Sequence, residues 1–453
     1  MADTADISII PLLSRALHHI RSTPPRVIAS PATQPRRAAV ALIIRVVPPP
    51  SYNPPPETAP GLSEFFQLDW VNAPGARPEI LFLRRDKPDA AGDAGRMSGS
   101  GPRTREAHVA FPGGKTEEGD EGGMYTAMRQ TWEEIGLDLA ESAYTPIGQL
   151  DDREVTTSLG KRLLMVLSPF IFLQLAPYTT SVDPAPGTAL HWVPLAELLP
   201  LPSSAQTRRP RWSHVTVDAS SRLAPRNSSA LRLLMRVLVG SMQFPAILIS
   251  PSASAAVPLA HAPAGDAKSQ LLAIDEKRAT LEHGADGEEE LKLWGLSLGM
   301  TLDLLLNMTV PTVSPVAERA LGASKGKGKM GVSSKKGEEA TVSPHALLPP
   351  DAETLDMLRM PVVAPSLTSI FPRFSYPDVN FWIWVFGKRY RAVMRGWEAS
   401  VRAGGTNDRR INWTGSALTT FYAAVRKALV VVLVLRAIGV LVGLFVGTWI
   451  LFW

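Results

Sequence analysis

The C-terminal end of the chain is an apolar stretch, residues 428–453, in which Arg436 is the single charged residue. About 20 consecutive apolar residues are enough for a helix to cross the hydrocarbon core of a bilayer. A compact soluble fold has no need of such a stretch, so the pattern predicts a transmembrane tail anchor. We expect Arg436 either to reach back to the near membrane face, leaving a spanning helix at 437–453, or to pair within the membrane.

Residues around this stretch predict the topology. Arg426 and Lys427 precede it, and the positive-inside rule then places the rest of a single-pass chain in the cytosol. The mitochondrial outer membrane, the endoplasmic reticulum and the peroxisome all remain open. Gly439, Gly443 and Gly447 recur every four residues. This spacing permits close helix packing and a homodimer. Glycine is also common in transmembrane helices that form no specific dimer, and this alternative is equally open.

Composition limits the chemistry. The chain has 453 residues, which favours two or three structural units. It has no cysteine, so disulfides, cysteine–zinc sites and thiol catalysis are excluded, and a metal would need oxygen or imidazole ligands. The formal charge of +5 is modest, and part of it lies in the polar run 324–339. We therefore expect no nucleic-acid partner.

Strand-like and helical patterns alternate along the first two thirds of the chain, which is typical of an α/β fold. Strands are predicted at 36–47, 78–85 and 107–114, and an amphipathic helix at 288–306. The expected organisation is an N-terminal extension (1–35), a globular domain (36–310) with insertions near 48–61, 86–104 and 200–288, a flexible linker (311–373), an aromatic and basic juxtamembrane segment (374–427) and the tail anchor (428–453). We expect the juxtamembrane segment to lie at the membrane interface, with packing on the domain as the alternative.

The segment 123–135 predicts a helix. Met124, Met128, Thr131 and Ile135 are spaced by four, three and four residues, as on the apolar face of a helix. Gly136 follows at a position where glycine often terminates a helix.

A second edge of this helix carries oxygen-rich side chains. Gln130, Glu133 and Glu134 share that edge, and Arg129 lies four residues before Glu133. Neighbouring carboxylates on a rigid helix suit a hard cation such as Mg²⁺ or Mn²⁺, and Gly113–Gly114 would let the backbone approach a ligand closely. Taken alone, the helix pattern favours the alternative, an Arg/Glu surface helix with i,i+4 ion pairs.

The whole stretch 114–137 resembles the Nudix box, which reads Gly, five residues, Glu, seven residues, then Arg-Glu-aliphatic-any-Glu-Glu-any-Gly-aliphatic. The positions filled here are Glu121, Arg129, Glu133, Glu134, Gly136 and Leu137. Gly114 fills the first position if the loop carries one extra residue, and Thr131 stands in the aliphatic position. Flanking segments, including "HVAFPGGK", "IGQLDD" and "HWVPLAELL", resemble the coenzyme A diphosphatase branch of the Nudix hydrolases over about 36–310.

This resemblance implies a Nudix α/β/α sandwich with a mixed sheet, and Mg²⁺- or Mn²⁺-dependent attack of water on a diphosphate. It implies catalytic roles for Arg129, Gln130, Glu133 and Glu134. It also implies metal ligation by Glu133, Glu134, Gly114 and Gln130, and cofactor or substrate contacts from Gly113, Gly114 and Arg103.

Two departures from the family pattern bear on function. Gln130 replaces a glutamate, and an amide can ligate a metal through oxygen but cannot accept a proton. The acids that could compensate are Glu117, Glu118, Asp120, Glu121, Asp151 and Asp152. Ala107 stands where the coenzyme A motif has glycine, which weakens the substrate assignment.

The function expected from the sequence is a membrane-anchored hydrolase that splits coenzyme A or acyl-coenzyme A into 4′-phosphopantetheine and adenosine 3′,5′-bisphosphate. The alternatives are hydrolysis of another nucleoside diphosphate-linked compound, or a catalytically weakened Nudix domain that binds a nucleotide or a protein.

Overall fold

The structure is a computed structural model that describes residues 9–29, 36–50, 52, 60–85, 107–156, 163–177, 182–199, 210–220, 228–249, 291–309, 366–402 and 416–453. The strands are β1 (Arg37–Val47), β2 (Arg77–Arg85), β3 (Ala107–Ala110), β4 (Gly113–Lys115), β5 (Tyr144–Gln149), β6 (Arg153–Thr156), β7 (Leu163–Gln174), β8 (Thr188–Pro194), β9 (Arg211–Asp218), β10 (Ser241–Ile249), β11 (Leu291–Trp294) and β12 (Arg373–Phe374). The helices are α1 (Ile10–Ser22), α2 (Leu62–Phe65), α3 (Asp69–Asn72), α4 (Gly123–Ile135), α5 (Leu195–Leu198), α6 (Ser229–Val239), α7 (Gly295–Thr309), α8 (Pro377–Phe386), α9 (Lys388–Arg402) and α10 (Ser416–Phe452), with a 3-10 helix at Ser366–Ile370.

One mixed sheet connects the described strands. Its main path runs β12-β10-β11-β3-β2-β1-β7-β5, while β4 pairs with β1, β6 with β7, β8 with β2 and β9 with β10. The strand β1 pairs in parallel with β7 and antiparallel with β2. The predicted α/β class with a mixed sheet is therefore confirmed.

Helices cover both faces of this sheet because side chains alternate along each strand. On β1, Ala39, Ala41 and Ile43 are buried in a cluster that includes Ala127 and Ile135 of α4. Leu42 and Ile44 point the other way, into the larger cluster formed with α1 and α7. Burial on both faces explains why β1 reads as a nearly continuous apolar run.

The N-terminal segment belongs to the core and does not lie outside it as an extension. In α1, Leu12, Leu13, Ala16 and Leu17 are at most 1% exposed and pack in the same cluster as α7. The expected domain start at residue 36 is therefore wrong. The apolar face of a helix this short does not show from sequence alone which element will cover it, so the pattern did not place α1 in the core.

The sheet also extends beyond the boundaries expected from sequence. Strands β9 and β10 pair antiparallel within the region expected to be an insertion at 200–288. Residues 291–294 form β11 between β10 and β3, so the predicted helix at 288–306 begins only at Gly295. Beyond residue 310, β12 pairs with β10. Of the linker predicted at 311–373, residues 311–365 lie outside the described residues, and the rest includes the 3-10 helix at Ser366–Ile370.

The segment expected at a membrane interface packs partly on the domain. Val379 and Ile383 of α8 are buried with Phe421, Val425 and other residues of α10. This is the alternative left open by the sequence, and it arises because α8 has a second apolar face that fits against α10.

Helix α10 changes character along its length. Its first part contributes buried Phe421, Val425 and Val432 to the cluster with α8, whereas every residue in 437–453 is exposed. Residues Thr419–Phe452 form one helix long and apolar enough to cross a membrane. We refer to residues 437–453 as the apolar end of α10.

Candidate functional site

The box helix α4 has the predicted bounds, Gly123–Ile135. It ends at Gly136, whose φ of +67° is a left-handed conformation that favours glycine and whose amide donates to the Trp132 carbonyl oxygen at 2.8 Å. Its buried side chains are Thr126, Ala127, Thr131 and Ile135. The prediction that Met124 belongs to the buried face is wrong, since this side chain is 44% exposed.

Thr131 in the aliphatic position keeps the helix regular. It is fully buried, and its hydroxyl donates to the Ala127 carbonyl oxygen at 2.7 Å. The hydroxyl is thereby satisfied within the helix, so a polar residue fits where the family pattern has an aliphatic one.

Arg129 is held between two acids. Its Nε and Nη2 donate to the two carboxylate oxygens of Asp120 at 2.8 and 2.9 Å, and its Nη1 donates to Glu133 Oε1 at 2.9 Å. The Arg129 side chain is 18% exposed and that of Asp120 is 3% exposed. Arg129 also donates to the Lys115 carbonyl oxygen at 3.3 Å, which ties the helix to β4.

The pKa of Asp120 is held well below its usual value, first by the hydrogen bonds from Arg129. The Glu117 amide and the Thr126 hydroxyl add to this by donating to Asp120 Oδ2 at 3.0 and 2.8 Å. The pKa of Arg129 is raised in turn, mainly by its hydrogen bond to Asp120 and then by that to Glu133. Both groups are therefore ionised at any physiological pH.

Asp120 thus occupies the place next to Arg129 that the spacing assigns to Glu121. Glu121 is exposed, one residue further along the loop. Five residues separate Gly114 from Asp120, as the box requires, so the extra residue of this chain lies between Asp120 and Arg129.

The two loop glycines are required by close contacts. A Cβ on Gly113, which has φ +146°, would lie 2.4 Å from the Ala39 carbonyl oxygen of β1. A Cβ on Gly114 would lie 1.9 Å from Oε1 of Gln130. The amide end of Gln130 therefore fills the space that the missing side chain leaves, and its Nε2 donates to Glu133 Oε2 at 2.8 Å.

Glu134 faces a residue that the sequence reading did not identify, Arg85 at the end of β2. Both carboxylate oxygens of Glu134 accept from this guanidinium, with Nη2 2.8 Å from Oε2. The Gly113 amide lies 3.4 Å from the same Oε2, and Arg85 Nη2 donates to the Phe111 carbonyl oxygen at 3.3 Å. Arg85 immediately precedes the insertion 86–104. A cationic residue at the point where a strand meets a long loop was the sequence signal that could have identified it.

Most of the acids proposed to compensate for Gln130 are used elsewhere or stay peripheral. Asp151 accepts from the Arg26 amide at 3.0 Å, and Asp152 accepts from the Ile28 amide at 2.9 Å and from the Ser168 hydroxyl at 2.7 Å. These two residues hold the segment after α1 against the sheet. We therefore exclude both from the site.

Two further acids of that set lie in the loop before α4. Glu117 lies 3.5 Å from Arg129 and is 66% exposed. Glu118 is exposed. Arg103, which was predicted to contact the substrate, lies outside the described residues.

The side chains at this site offer oxygen atoms, which are the ligands that a hard divalent cation prefers. Glu133 and Glu134 offer carboxylate oxygens, and Oε1 of Gln130 lies beside Gly114, in the space that a side chain there would fill. Within the described part of the chain, no group of three acidic, histidine or cysteine residues forms a metal-binding cluster. A cation here would therefore rely on the amide oxygen and the backbone beside the two carboxylates.

Comparison with known proteins agrees with this geometry. Residues 71–213 match the family model described as NUDIX domain. An uncharacterized Schizosaccharomyces pombe protein is 31% identical over 236 residues, which cover 51% of this chain and 60% of that protein. The chain thus spans less than two thirds of the relative's length.

Solved structures with Nudix domains are also similar. A Nudix hydrolase from M. smegmatis, RenU, is 16% identical over 35% of this chain and 70% of its own, with a TM-score of 0.19. The Nudix domain of Shewanella oneidensis NrtR, solved with ADP ribose, is 13% identical over 41% of this chain and 87% of its own, with a TM-score of 0.20. Because these scores are low, the assignment rests on residues 71–213.

Proposed function

We propose that this protein is a Nudix-type diphosphatase acting on coenzyme A or acyl-coenzyme A. The observation that carries the proposal is that Gln130 fills the space beside Gly114 and bonds Glu133, while Glu134 lies near the Gly113 amide. In the proposed reaction, water attacks one phosphorus atom of the diphosphate and the bond from that phosphorus to the bridging oxygen breaks. The products are 4′-phosphopantetheine and adenosine 3′,5′-bisphosphate.

Each residue of the site has a proposed part in this step. Arg129, fixed by Asp120, holds Glu133 in place. Glu133, Glu134 and the Gln130 amide oxygen would hold Mg²⁺ or Mn²⁺, with backbone oxygen at Gly114. Such an ion lowers the pKa of water and neutralises developing charge when bound. Gln130 cannot take the proton of the attacking water, so a carboxylate must do so.

The test is turnover by the full-length chain in detergent, with coenzyme A and Mg²⁺ or Mn²⁺, followed by chromatography of the products. The variants are Glu133→Gln, expected to lose activity on the order of 10²-fold or more, and Gln130→Glu, expected to raise it. Glu141→Gln changes an exposed acid away from the site and is expected to match the wild type. Turnover of ADP-ribose or dinucleotides alone would overturn the coenzyme A assignment.

A second function, binding without turnover, is favoured by one specific contact. The Gln130 amide donates to Glu133 at 2.8 Å, which ties up an oxygen that a cation would use. If the wild type is silent on all substrates while Gln130→Glu turns over, the native domain is a nucleotide- or protein-binding module.

We also propose that α10 anchors the chain in a membrane, with the Nudix domain in the cytosol. The apolar end of α10 has no charged residue, and at 1.5 Å per residue it is about 25 Å long. Arg436, directly before it, is held by the domain through Asp378 at 2.7 Å, which supports a spanning helix at 437–453. Extraction of membranes with carbonate tests this, since an anchored chain stays in the pellet. Dimerisation through Gly439, Gly443 and Gly447 stays a prediction.

A further inference from the structure

Helix α6 presents an apolar face to solvent. Leu233, Leu234 and Val237 are 66%, 51% and 61% exposed, and residues three and four apart share one side of a helix. The opposite side packs on the domain through Met235 and Val239. This helix is therefore apolar on two faces, of which only one is covered.

Helix α8 adds aromatic side chains. Phe381 and Trp384 are 54% and 59% exposed and are three residues apart on its outer side. The guanidinium of Arg391, at the start of α9, lies 4.5 Å from the centroid of the Trp384 ring. Aromatic rings beside cationic side chains are enriched where a protein meets the interface of a bilayer.

Arg436, directly before the apolar end of α10, contacts both α6 and α8. Its guanidinium donates to the Leu238 carbonyl oxygen at the end of α6 and to Asp378 in the first turn of α8. It also lies 4.4 Å from the centroid of the Tyr376 ring. Leu233 precedes Leu238 by five residues, about 8 Å along the helix axis. The exposed face of α6 therefore begins where the apolar end of α10 leaves the domain.

We propose that Leu233, Leu234 and Val237 of α6, with Phe381 and Trp384 of α8, form a membrane collar that inserts into the bilayer surface around α10. This inference rests on the anchoring by α10 proposed above and goes beyond it. An anchor alone would leave the domain free to turn, whereas a collar fixes one side of the domain on the lipid.

The charges next to the collar favour lipid over a second protein copy. Arg236 on α6 lies 3.8 Å from Asp218 and still has a side chain that is 72% exposed. Lys388 and Arg389 at the start of α9 are exposed. Basic residues beside an apolar helix face are attracted to anionic headgroups. A collar of this composition fits the surface of a membrane that contains anionic lipid.

The absence of cysteine from the chain makes the test direct. Single variants Leu233→Cys and Val237→Cys of the full-length protein are labelled with an environment-sensitive fluorophore and reconstituted in vesicles of phosphatidylcholine and phosphatidylserine. Quenching by spin-labelled lipid then reports contact with the bilayer. Val27→Cys, whose side chain is 64% exposed, is the matched negative control, and Ile450→Cys, 75% exposed within the apolar end of α10, is the positive control.

The proposal expects quenching at residues 233, 237 and 450 and none at 27. Quenching at 450 with residues 233 and 237 behaving like residue 27 would overturn the collar and leave the anchor intact. No quenching at 450 would overturn the anchor, and the collar with it. If labels at 233 are shielded from lipid but a thiol crosslinker joins two chains there, the face is an interface between copies and the collar is wrong.

Discussion

At the scale of single residues, the site depends on which acid faces Arg129. Asp120 accepts two hydrogen bonds from the guanidinium and two more from the loop and helix. Glu121 is exposed. A carboxylate with four donors has little freedom to move, so Arg129 and, through it, Glu133 are held in one position. Asp120 is therefore a positioning residue for the proposed reaction.

Replacing Asp120 tests this role. Asp120→Asn is expected to destabilise the domain by about 2 kcal/mol, because the change weakens hydrogen bonds between buried charged groups. It should also lower kcat more than KM, since Glu133 loses its fixed position. Thermal unfolding and product chromatography measure both effects. Glu121→Gln is the matched control, and an equal loss there would mean that the spacing of the box, and not the observed contact, identifies the acid.

The lowered pKa of Asp120 predicts a pH dependence. Its folded pKa lies below the unfolded value of about 3.9, so the stability that it contributes is fully present above the unfolded pKa and is lost as the pH falls towards the folded pKa. The difference in melting temperature between wild type and Asp120→Asn should be constant above about pH 5 and shrink below about pH 4. A difference that changes instead between about pH 6 and 8 would show that another group titrates.

We predict that Arg85 competes with a bound cation for the carboxylate of Glu134. Because Arg85 binds both carboxylate oxygens, a cation must share or displace this contact. Arg85→Gln is expected to tighten Mn²⁺ binding, on the order of tenfold, because it removes a positive charge beside Glu134. It should also lower kcat/KM, because the anionic diphosphate substrate loses a nearby cation. Electron paramagnetic resonance of free Mn²⁺ measures the affinity. Unchanged binding would mean that Glu134 does not ligate the metal.

The residues of the helix edge could be predicted from sequence because helical spacing fixes which side chains are neighbours. Gln130, Glu133 and Glu134 do share an edge, and the contact from Gln130 to Glu133 follows from it. Arg85 could not be predicted in this way. It lies 49 residues from Glu134, and only the pairing of strands brings the two together.

At the scale of elements, the short pair of β4 with β1 positions the loop before α4. Gly113 pairs with Val40, and a side chain at 113 would collide with backbone atoms of β1, which cannot move aside. The loop, and with it the Gly113 amide near Glu134, is therefore held by the sheet. This contact connects the core to the proposed site.

Gly113→Ala is expected to destabilise the domain by about 3 kcal/mol and to abolish turnover, because β4 must separate from β1. Gly119→Ala is the matched control. Gly119 also has a positive φ, +110°, but a Cβ there would meet open space, so the expected cost is about 1 kcal/mol. Equal melting temperatures for the two variants would show that backbone conformation and not the collision decides the cost.

Local sequence patterns correctly predicted the elements whose side chains are deeply buried in the core, such as β1, β2 and α4. They failed where an element's type depends on a distant partner. Residues 291–294 continue an apolar helical pattern, yet they pair with β10 and β3. The same applies to α1, whose leucines are buried because α7 and β5 pack against it.

At the scale of the whole molecule, the sheet and the helices on it extend beyond the residues that match the NUDIX domain model. Residues 71–213 match the family, but β1, which pairs with β2, β4 and β7, precedes the match. Helices α1 and α7, which cover one face of the sheet, also lie outside it. At the far edge, β10 and β12 lead to α8 and α10. The sheet thus connects the proposed site directly to the proposed anchor.

Arg436 is where that connection can be tested. It contacts Asp378, the Leu238 carbonyl oxygen and the Tyr376 ring, and the Asp378 side chain is 44% exposed. In detergent this pair should behave as a surface ion pair and contribute about 0.5 kcal/mol. In a bilayer, lipid covers the pair, salt screens it less, and the contribution should rise above 1 kcal/mol.

A double-mutant cycle with Asp378→Asn and Arg436→Gln isolates this term, read from amide hydrogen exchange in α6 and α8. We expect a larger coupling in bilayers than in detergent, with exchange in α4 unchanged. Asp138→Asn, which changes an acid in the loop after α4, should show no coupling to Arg436→Gln in either medium. Equal coupling in both media would mean that lipid does not reach the base of α10, and the domain would then stand away from the membrane.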